Sequence, residues 1–341
     1  MATPTIRRVA ELAGVSIATV SRTLAQPDKV AEATREKVLE AVRATGFVPN
    51  RQAVDFRRRA TGNIVLLVRD ITNPFYLEIY RGIEERAFAS SYRVLMGDAQ
   101  YDDTRVMRYL EMARNGQADG VILMTGWLPP SMPEASLPKT VIALEVIAGS
   151  GLPSVAIDNR AAAKLAVRHL IDLGHRRVAH IAGPTRLLMS SERHAGYVDA
   201  LREAGIEAVP ELTRIGDFHF GSGLSAAQAL LSGQADFTAI FASNDEMAVG
   251  AINGLRARGL RVPEDVSVVG FDDMDYALSS DPPLTSIRQP RREIGRKAMQ
   301  MLIDLLSGED LPHANVTADV ELIVRQSTAH APQQTRRGAN P

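Results

Sequence analysis

The stretch Thr5-Ile-Arg-Arg-Val-Ala-Glu-Leu-Ala-Gly-Val-Ser-Ile-Ala-Thr-Val-Ser-Arg-Thr-Leu24 reads as helix, turn, helix. Ile6, Val9, Ala10 and Ala13 recur at helical spacing and make one apolar face. Gly14 can take the positive φ that ends a helix and turns the chain. Ser16 can cap the second helix, and Val20 and Leu24 fall back onto the first. Ser16, Ile17, Ala18, Thr19, Ser21 and Arg22 then lie on or near the open side. This is the layout of a helix-turn-helix, whose second helix enters the major groove with its N-terminal residues at base edges.

Charge is divided unevenly along the chain. Residues 1–60 carry 11 basic and 6 acidic side chains, whereas the rest carries 28 basic and 34 acidic ones, so a net charge of −1 conceals a basic head on an acidic body. Such asymmetry points to a polyanion-binding end. A third helix is predicted from Glu32 to Thr45, with Val38, Leu39, Ala41 and Val42 inward and Gly46 as its stop. The following segment, Phe47 to Gly62, holds Arg51, Arg57, Arg58 and Arg59 among Ala53, Val54 and Phe56. It reads either as a flexible solvated linker or as a hinge helix that orders on DNA, with Phe56 wedged into the minor groove and arginines on phosphates.

From residue 63 the texture changes. Short apolar runs (Ile64–Val68, Arg93–Met96, Val121–Met124, Thr140–Leu144, Val155–Ile157, Val178–Ile181, Ala239–Phe241 and Val266–Gly270) alternate with amphipathic stretches such as Tyr76–Ser90, Ala161–Leu173, Arg193–Ala204 and Glu246–Arg258. Buried strands alternating with helices mean parallel sheets covered on both faces. Some 270 residues exceed one ordinary sheet, so two doubly wound lobes with a cleft between them are expected. The strand ends carry Arg69-Asp70, Gly97-Asp98, Glu145, Asp158-Asn159, Asn244-Asp245 and Asp272-Asp273. Ligands bind outside the carboxyl ends of parallel strands, and carboxylates and amides there suit hydroxyl-rich ligands. The competing reading is that they are loop-entry residues and helix caps.

Several classes of function are disfavoured. The absence of cysteine removes disulfides and Cys-based zinc sites. No uncharged apolar run approaches the ~18 residues of a membrane span, and no signal core follows Arg7 and Arg8, so a cytoplasmic protein with no membrane partner is expected. The chain has no G-x-S-x-G elbow, Walker loop, H-E-x-x-H or G-x-G-x-x-G after a strand, and no metal spacing among its seven histidines. No catalytic residue, metal or cofactor is therefore expected.

Head, hinge and body together resemble the lactose-repressor (LacI/GalR) family of bacterial transcription regulators. The motifs are Val9-Ala-x-x-Ala-Gly-Val-Ser-x-x-Thr-Val-Ser-Arg22, Thr34-Arg-Glu-Lys-Val38, Pro49-Asn50, Asn73-Pro-Phe75, Ile181-Ala-Gly-Pro184, Ser243-Asn-Asp-Glu-Met-Ala248, Val262-Pro-Glu-Asp-Val-Ser267, Gly270-Phe-Asp-Asp273 and Pro283-Leu-Thr-Ser-Ile287. The resemblance implies an all-α helix-turn-helix head over residues 1–46, a hinge helix or linker over 47–61, and a periplasmic-binding-protein-like α/β domain for ligand binding and dimerisation over 62–330. Lobe 1 would span about 62–159 and 290–320, lobe 2 about 160–289 and 321–330, with a disordered tail over 331–341.

The resemblance also implies partners and site residues. The partners are a pseudo-palindromic double-stranded DNA operator, a second copy of the chain, and a small effector, nucleoside-like or sugar, held between the lobes. The DNA-contacting set is Ile6, Ser16, Ile17, Ala18, Thr19, Ser21, Arg22, Lys29, Thr34, Asn50, Arg51, Phe56 and Arg57. Positions 17 and 18 carry no hydrogen-bonding side chain, so direct readout rests on Arg22, whose guanidinium suits guanine O6 and N7. Phe56 stands where most of the family has a leucine wedge. The effector set is Phe75, Glu145, Asp158, Arg193, Phe218, Asn244 and Asp272, with Arg193 and Asp272 as the hydroxyl-binding pair. Leu187 and Met189 make a bare charged base a poor fit. The rival readings are a transporter's solute-binding protein and an enzyme acting on the same ligands.

Overall fold

The computed structural model describes residues 4–47, 60–133, 136–147, 149–233, 235–309, 311 and 315–332. The hinge candidates Asn50, Arg51, Phe56 and Arg57 and most of the expected tail lie outside the described residues.

The head is three helices, α1 (Ile6–Ala13), α2 (Ile17–Ala25) and α3 (Glu32–Thr45). Each boundary has a local cause. Thr5 caps α1 by accepting from the Arg8 amide, and Gly14, at φ 63°, ends it in the left-handed region that a side chain would resist. The Ser16 Oγ accepts from the Thr19 amide at 3.1 Å and opens α2. Gly46, at φ 64°, closes α3. Val9, Ala10, Val20, Val38 and Ala41 form the core, rimmed by Ile6, Ala13, Val15, Leu24, Val42 and Phe47. Fully burying each valine contributes about 1.5–3 kcal/mol before chain entropy, so one charge at position 20 would undo much of this small core. One expectation fails here: Leu39 is exposed, because the inward face of α3 runs through Val38, Ala41 and Val42 and leaves position 39 on the flank.

The body holds two six-stranded sheets. The first contains β1 (Asn63–Val68), β2 (Arg93–Asp98), β3 (Gly120–Met124), β4 (Thr140–Leu144), β5 (Ser154–Ile157) and a late strand, Asn315–Ala318, in the order late strand–β5–β4–β3–β1–β2, all parallel. Its helices include α4 (Phe75–Ala89) and α5 (Asp103–Arg114). The second sheet begins after α6 (Asn159–Asp172). It is built from β6 (Val178–Ala182), β7 (Thr213–Ile215), β8 (Ala239–Ala242), β9 (Ser267–Asp272), β10 (Thr285–Arg288) and the closing strand Glu321–Ile323. Only that last strand is antiparallel. Helices α7 (Leu188–Glu203), α8 (Phe220–Ser232) and α9 (Asp245–Arg256) belong to it. After the short α10 (Asp275–Ser279), α11 (Arg291–Ser307) returns the chain to the first sheet, where it packs on α4.

Every apolar run singled out in the sequence is a strand. Buried β1, β3, β4 and β6 explain why: with helices on both faces, strands need continuous rather than alternating apolarity. Thr213–Ile215, Thr285–Arg288, Asn315–Ala318 and Glu321–Ile323 were not legible as strands, being three or four residues long and largely polar. The Ala331 amide still donates to the Leu173 carbonyl at 2.9 Å, so the chain is held at least that far.

Candidate functional site

In the head, α2 presents Ser16, Ile17, Ala18 and Arg22 to solvent, with Ile17 44% exposed. Thr19 and Ser21 are half-buried, and the Thr19 hydroxyl lies 2.9 Å from the Ser16 Oγ. Thr19 therefore helps build the cap. Arg22 has no ion-pair partner among the described residues. An exposed isoleucine beside a free guanidinium at the open end of a capped helix has no use in the head's own core. Lys29 is exposed as the last residue of a 3-10 turn (Pro27–Lys29), whereas Ile6 and Thr34 are half-buried in the first turns of α1 and α3. Ser16→Ala should cost the head about 1 kcal/mol through loss of the cap. A thermal melt of the isolated operator complex and of free protein would register it, and an unchanged melt would place the helix start elsewhere.

In the body, the carboxyl ends of both sheets carry the second cluster. Arg193, on α7, is 2% exposed. Its Nε donates to Asn159 Oδ1 at 2.9 Å, its Nη1 donates to the Ser243 carbonyl, and its plane lies 3.7 Å from the centre of the Phe271 ring. The Asp272 Oδ1 stands 3.8 Å away and accepts from Gln289 Nε2 at 2.7 Å. Burial lowers Arg193 to about 10 and raises Asp272 to about 6, against the opposing pull of each on the other. Beside them Asp245 is wholly buried, accepting from the Met274 amide and the Ser286 hydroxyl. Burial, and then the Asp272 charge, raises it well above the carboxylate range.

Across the cleft, Glu145 follows β4 and is 4% exposed. It pairs with Arg69 at the end of β1 at 2.5 Å, and the Arg69 Nε donates to the Tyr76 hydroxyl at 3.0 Å. Tyr76 meets Phe75 edge-on at 5.6 Å. The Arg69 Nη2 reaches Met189 Sδ of the second lobe at 3.4 Å. On the same side, Arg291 of α11 donates to the Asp273 carbonyl at 3.1 Å, and Asp273 is ion-paired with Arg288 and Arg325. Backbone strain collects here. Leu144 (φ 78°), Phe218 (φ 73°), Asp272 (φ 109°) and Asp273 (φ 51°) are non-glycine residues with left-handed or more extreme φ. Such outliers persist where surrounding structure over-determines them, commonly at ligand sites.

Two residues of the effector set take other work. Asp158 is exposed and caps α6 by accepting from the Ala161 amide at 2.8 Å; its neighbour Asn159 is the one that reaches Arg193. Asn244 caps α9 through Oδ1 and holds the Phe218 carbonyl through Nδ2, so it positions Phe218 and keeps little capacity for a ligand. Phe218 is buried at 8% exposure and Phe75 half-buried. Arg69 and Asn159 stand among the strand-end residues but not in the effector set that the resemblance implies. Arg69 was visible only as a charge ending an apolar strand, and its partner lies 76 positions on. A cavity of about 470 Å³ beside the cluster is lined by Thr72, Asn73 and Pro74 from one lobe and by Phe220, Glu246 and Tyr276 from the other.

Comparison with known proteins bears on the two parts of the chain. Residues 5–50 match the bacterial regulatory proteins of the lacI family, and residues 167–328 match a periplasmic binding protein-like domain. The HTH-type transcriptional repressor CytR of Escherichia coli K12 is 42% identical over 96% of this chain and 97% of its own length. The HTH-type transcriptional regulator CelR of Thermobifida fusca is 37% identical over 95% of this chain and 98% of its own. Among solved structures, the lac repressor dimer bound to operator and an anti-inducer superposes with a TM-score of 0.86 at 27% identity, covering 96% of this chain and all of that one. A CelR–cellobiose complex reaches 0.73 at 35% identity, covering 95% and 99%. These relatives are transcription regulators rather than enzymes, and no helix among the described residues is long and apolar enough to cross a membrane. With a capped helix-turn-helix ahead of two parallel-sheet lobes, and with relatives alike over nearly its whole length, the chain belongs to the lacI family of bacterial regulatory proteins.

Proposed function

We propose that the chain is an operator-binding repressor whose affinity for DNA is set by an uncharged, hydroxyl-bearing effector, a nucleoside or a sugar, bound between the two lobes. The observation that carries the effector site is the buried Arg193–Asp272 pair at 3.8 Å: two opposite charges, both inside, without a direct hydrogen bond. A purely structural buried pair is held by close, saturated hydrogen bonding. Here a ligand hydroxyl can donate to Asp272 while accepting from Arg193. Phe75 and Phe218 supply aromatic surface for a base or a sugar face. Arg22, with methyl contacts from Ile17 and Ala18, reads the operator; Ser16, Thr19, Ser21, Lys29 and Thr34 position the head on its backbone. The effector acts only through its different affinity for the two lobe arrangements, and typical couplings of about 1–3 kcal/mol correspond to about 5–150-fold in operator affinity. The test is operator binding with and without a panel of nucleosides and sugars, repeated with Arg193→Ala and Asp272→Ala. A wild-type response lost in those variants supports the reading.

The active species is a homodimer, each head reading half of a pseudo-palindrome. Leu77 and Phe88, on α4, are eleven residues and so three helical turns apart, on one face, and are 54% and 80% exposed. Leu95 of the edge strand β2 is 41% exposed. Paired Leu77→Asp and Phe88→Asp changes should convert the protein to a monomer in sedimentation velocity and weaken operator binding with it. A dimer that survives both would move the interface away from this face.

A further inference from the structure

The Arg69–Glu145 pair is only partly satisfied. Glu145 Oε1 accepts from Arg69 Nη1, but Oε2 is buried and has no hydrogen-bond partner among the described residues. The Arg69 Nη2, in turn, is directed at the Met189 thioether of the other lobe at 3.4 Å. A thioether is a weak acceptor for a guanidinium. The pair thus holds a strong acceptor without a donor and a strong donor on a poor acceptor, both at the lobe junction. Gly126, at φ 84°, keeps the acceptor clear, because a Cβ there would lie 2.6 Å from Glu145 Oε1 and 2.7 Å from Oε2. On the lobe facing them, the hydroxyl of Ser190, next to Met189, is also buried without a partner among the described residues.

We propose that Arg69 and Glu145 form a specificity subsite in lobe 1 that reads a ligand edge carrying a hydrogen-bond donor beside an acceptor, with no formal charge. The donor fills Glu145 Oε2, and the acceptor replaces Met189 at the Arg69 Nη2. Because Met189 belongs to the second lobe, filling the subsite exchanges an interlobe contact for a ligand contact and so links recognition to lobe spacing. The edge of an uncharged nucleobase and a sugar's vicinal diol both present this pattern. An anionic group does not fit this subsite, since its guanidinium already faces a carboxylate: Arg69 is paired with Glu145. The proposal rests on the reading of the cleft as the effector site.

The test uses the full chain and isothermal titration with cytidine, uridine, 3-methyluridine, uridine 5′-monophosphate, ribose, 2-deoxyribose and glucose. Wild type should prefer uridine to 3-methyluridine, or ribose to 2-deoxyribose, by about tenfold or more, the worth of one hydrogen bond to a charged group. The uridine pair scores a nucleobase edge and the ribose pair a diol. The monophosphate should bind more weakly than uridine. Glu145→Gln presents an amide N–H₂ where the acceptor stood and should lose affinity by a similar factor. The double variant Arg69→Met/Glu145→Gln removes both charges together, which avoids an unpaired buried ion, and should bind the members of each pair alike. Equal binding of each pair by wild type, tighter binding of the monophosphate, or variants that discriminate as wild type does would overturn the subsite. If those variants behave as wild type while Asp272→Ala abolishes binding, the subsite fails and the cleft stands. Binding retained in Asp272→Ala, or no binding by any of the probes, removes the cleft reading as well.

Discussion

Arg22→Ala should weaken binding to a selected operator by about 30-fold to about 20,000-fold. One bidentate arginine–guanine contact is worth about 1–3 kcal/mol, and a dimer on a pseudo-palindrome makes two of them. The change should also relax sequence preference at one position per half-site. Selection from random-sequence DNA would then return a motif degenerate there but intact elsewhere. A phosphate contact would behave differently, lowering affinity evenly across sequences and reducing the salt dependence. The structure argues for the base contact. Arg22 is exposed one turn beyond Ala18 on the open face of α2, with no competing carboxylate among the described residues. Nothing in the head's core depends on it, so its removal leaves Val9, Val20 and Val38 in place. Unchanged affinity and preference would mean that α2 is not the reading helix.

Asp272→Ala should abolish the effector response, weakening the ligand by about a hundredfold or more while leaving ligand-free operator binding intact. The conservative Asp272→Asn change separates charge from shape. Burial has already raised this carboxyl to about 6, so part of the free protein is protonated in mildly acidic buffer. A ligand that donates to the carboxylate favours the charged form and lowers the pKa on binding. Binding therefore releases a proton below pH ~6, and affinity falls there by up to about tenfold per pH unit, levelling off above it. Asp272→Asn should flatten this profile. A wild-type profile flat from pH 5 to 8 would mean that the ligand does not engage the carboxylate.

How far the sequence could be read follows from the range of each interaction. The head was legible because its determinants are local: a cap at Ser16, a left-handed glycine at 14, and apolar spacing along two short helices. Leu39 was misplaced because position 39 borders the buried arc of α3 and the spacing does not say which flank faces inward. The lobes were legible from buried strand runs, whereas the short polar strands that finish each sheet depend on partners far along the chain. In the cleft, residue types were readable but their tasks were not. Asp158 and Asn244 both sit where an acid or amide is equally a helix cap, and capping is what they do. Arg69 looked like a charge ending a strand until Glu145, 76 residues away, was beside it.

The most direct test of the account is operator affinity of the full-length protein, measured by fluorescence anisotropy at fixed salt on a selected operator, with and without the nucleoside and sugar panel, in wild type and Asp272→Ala. At least one of these ligands should change wild-type affinity by about fivefold or more, within the usual range of allosteric coupling, and leave the variant unmoved. A ligand that shifts both proteins equally, or a panel that shifts neither, would contradict that expectation.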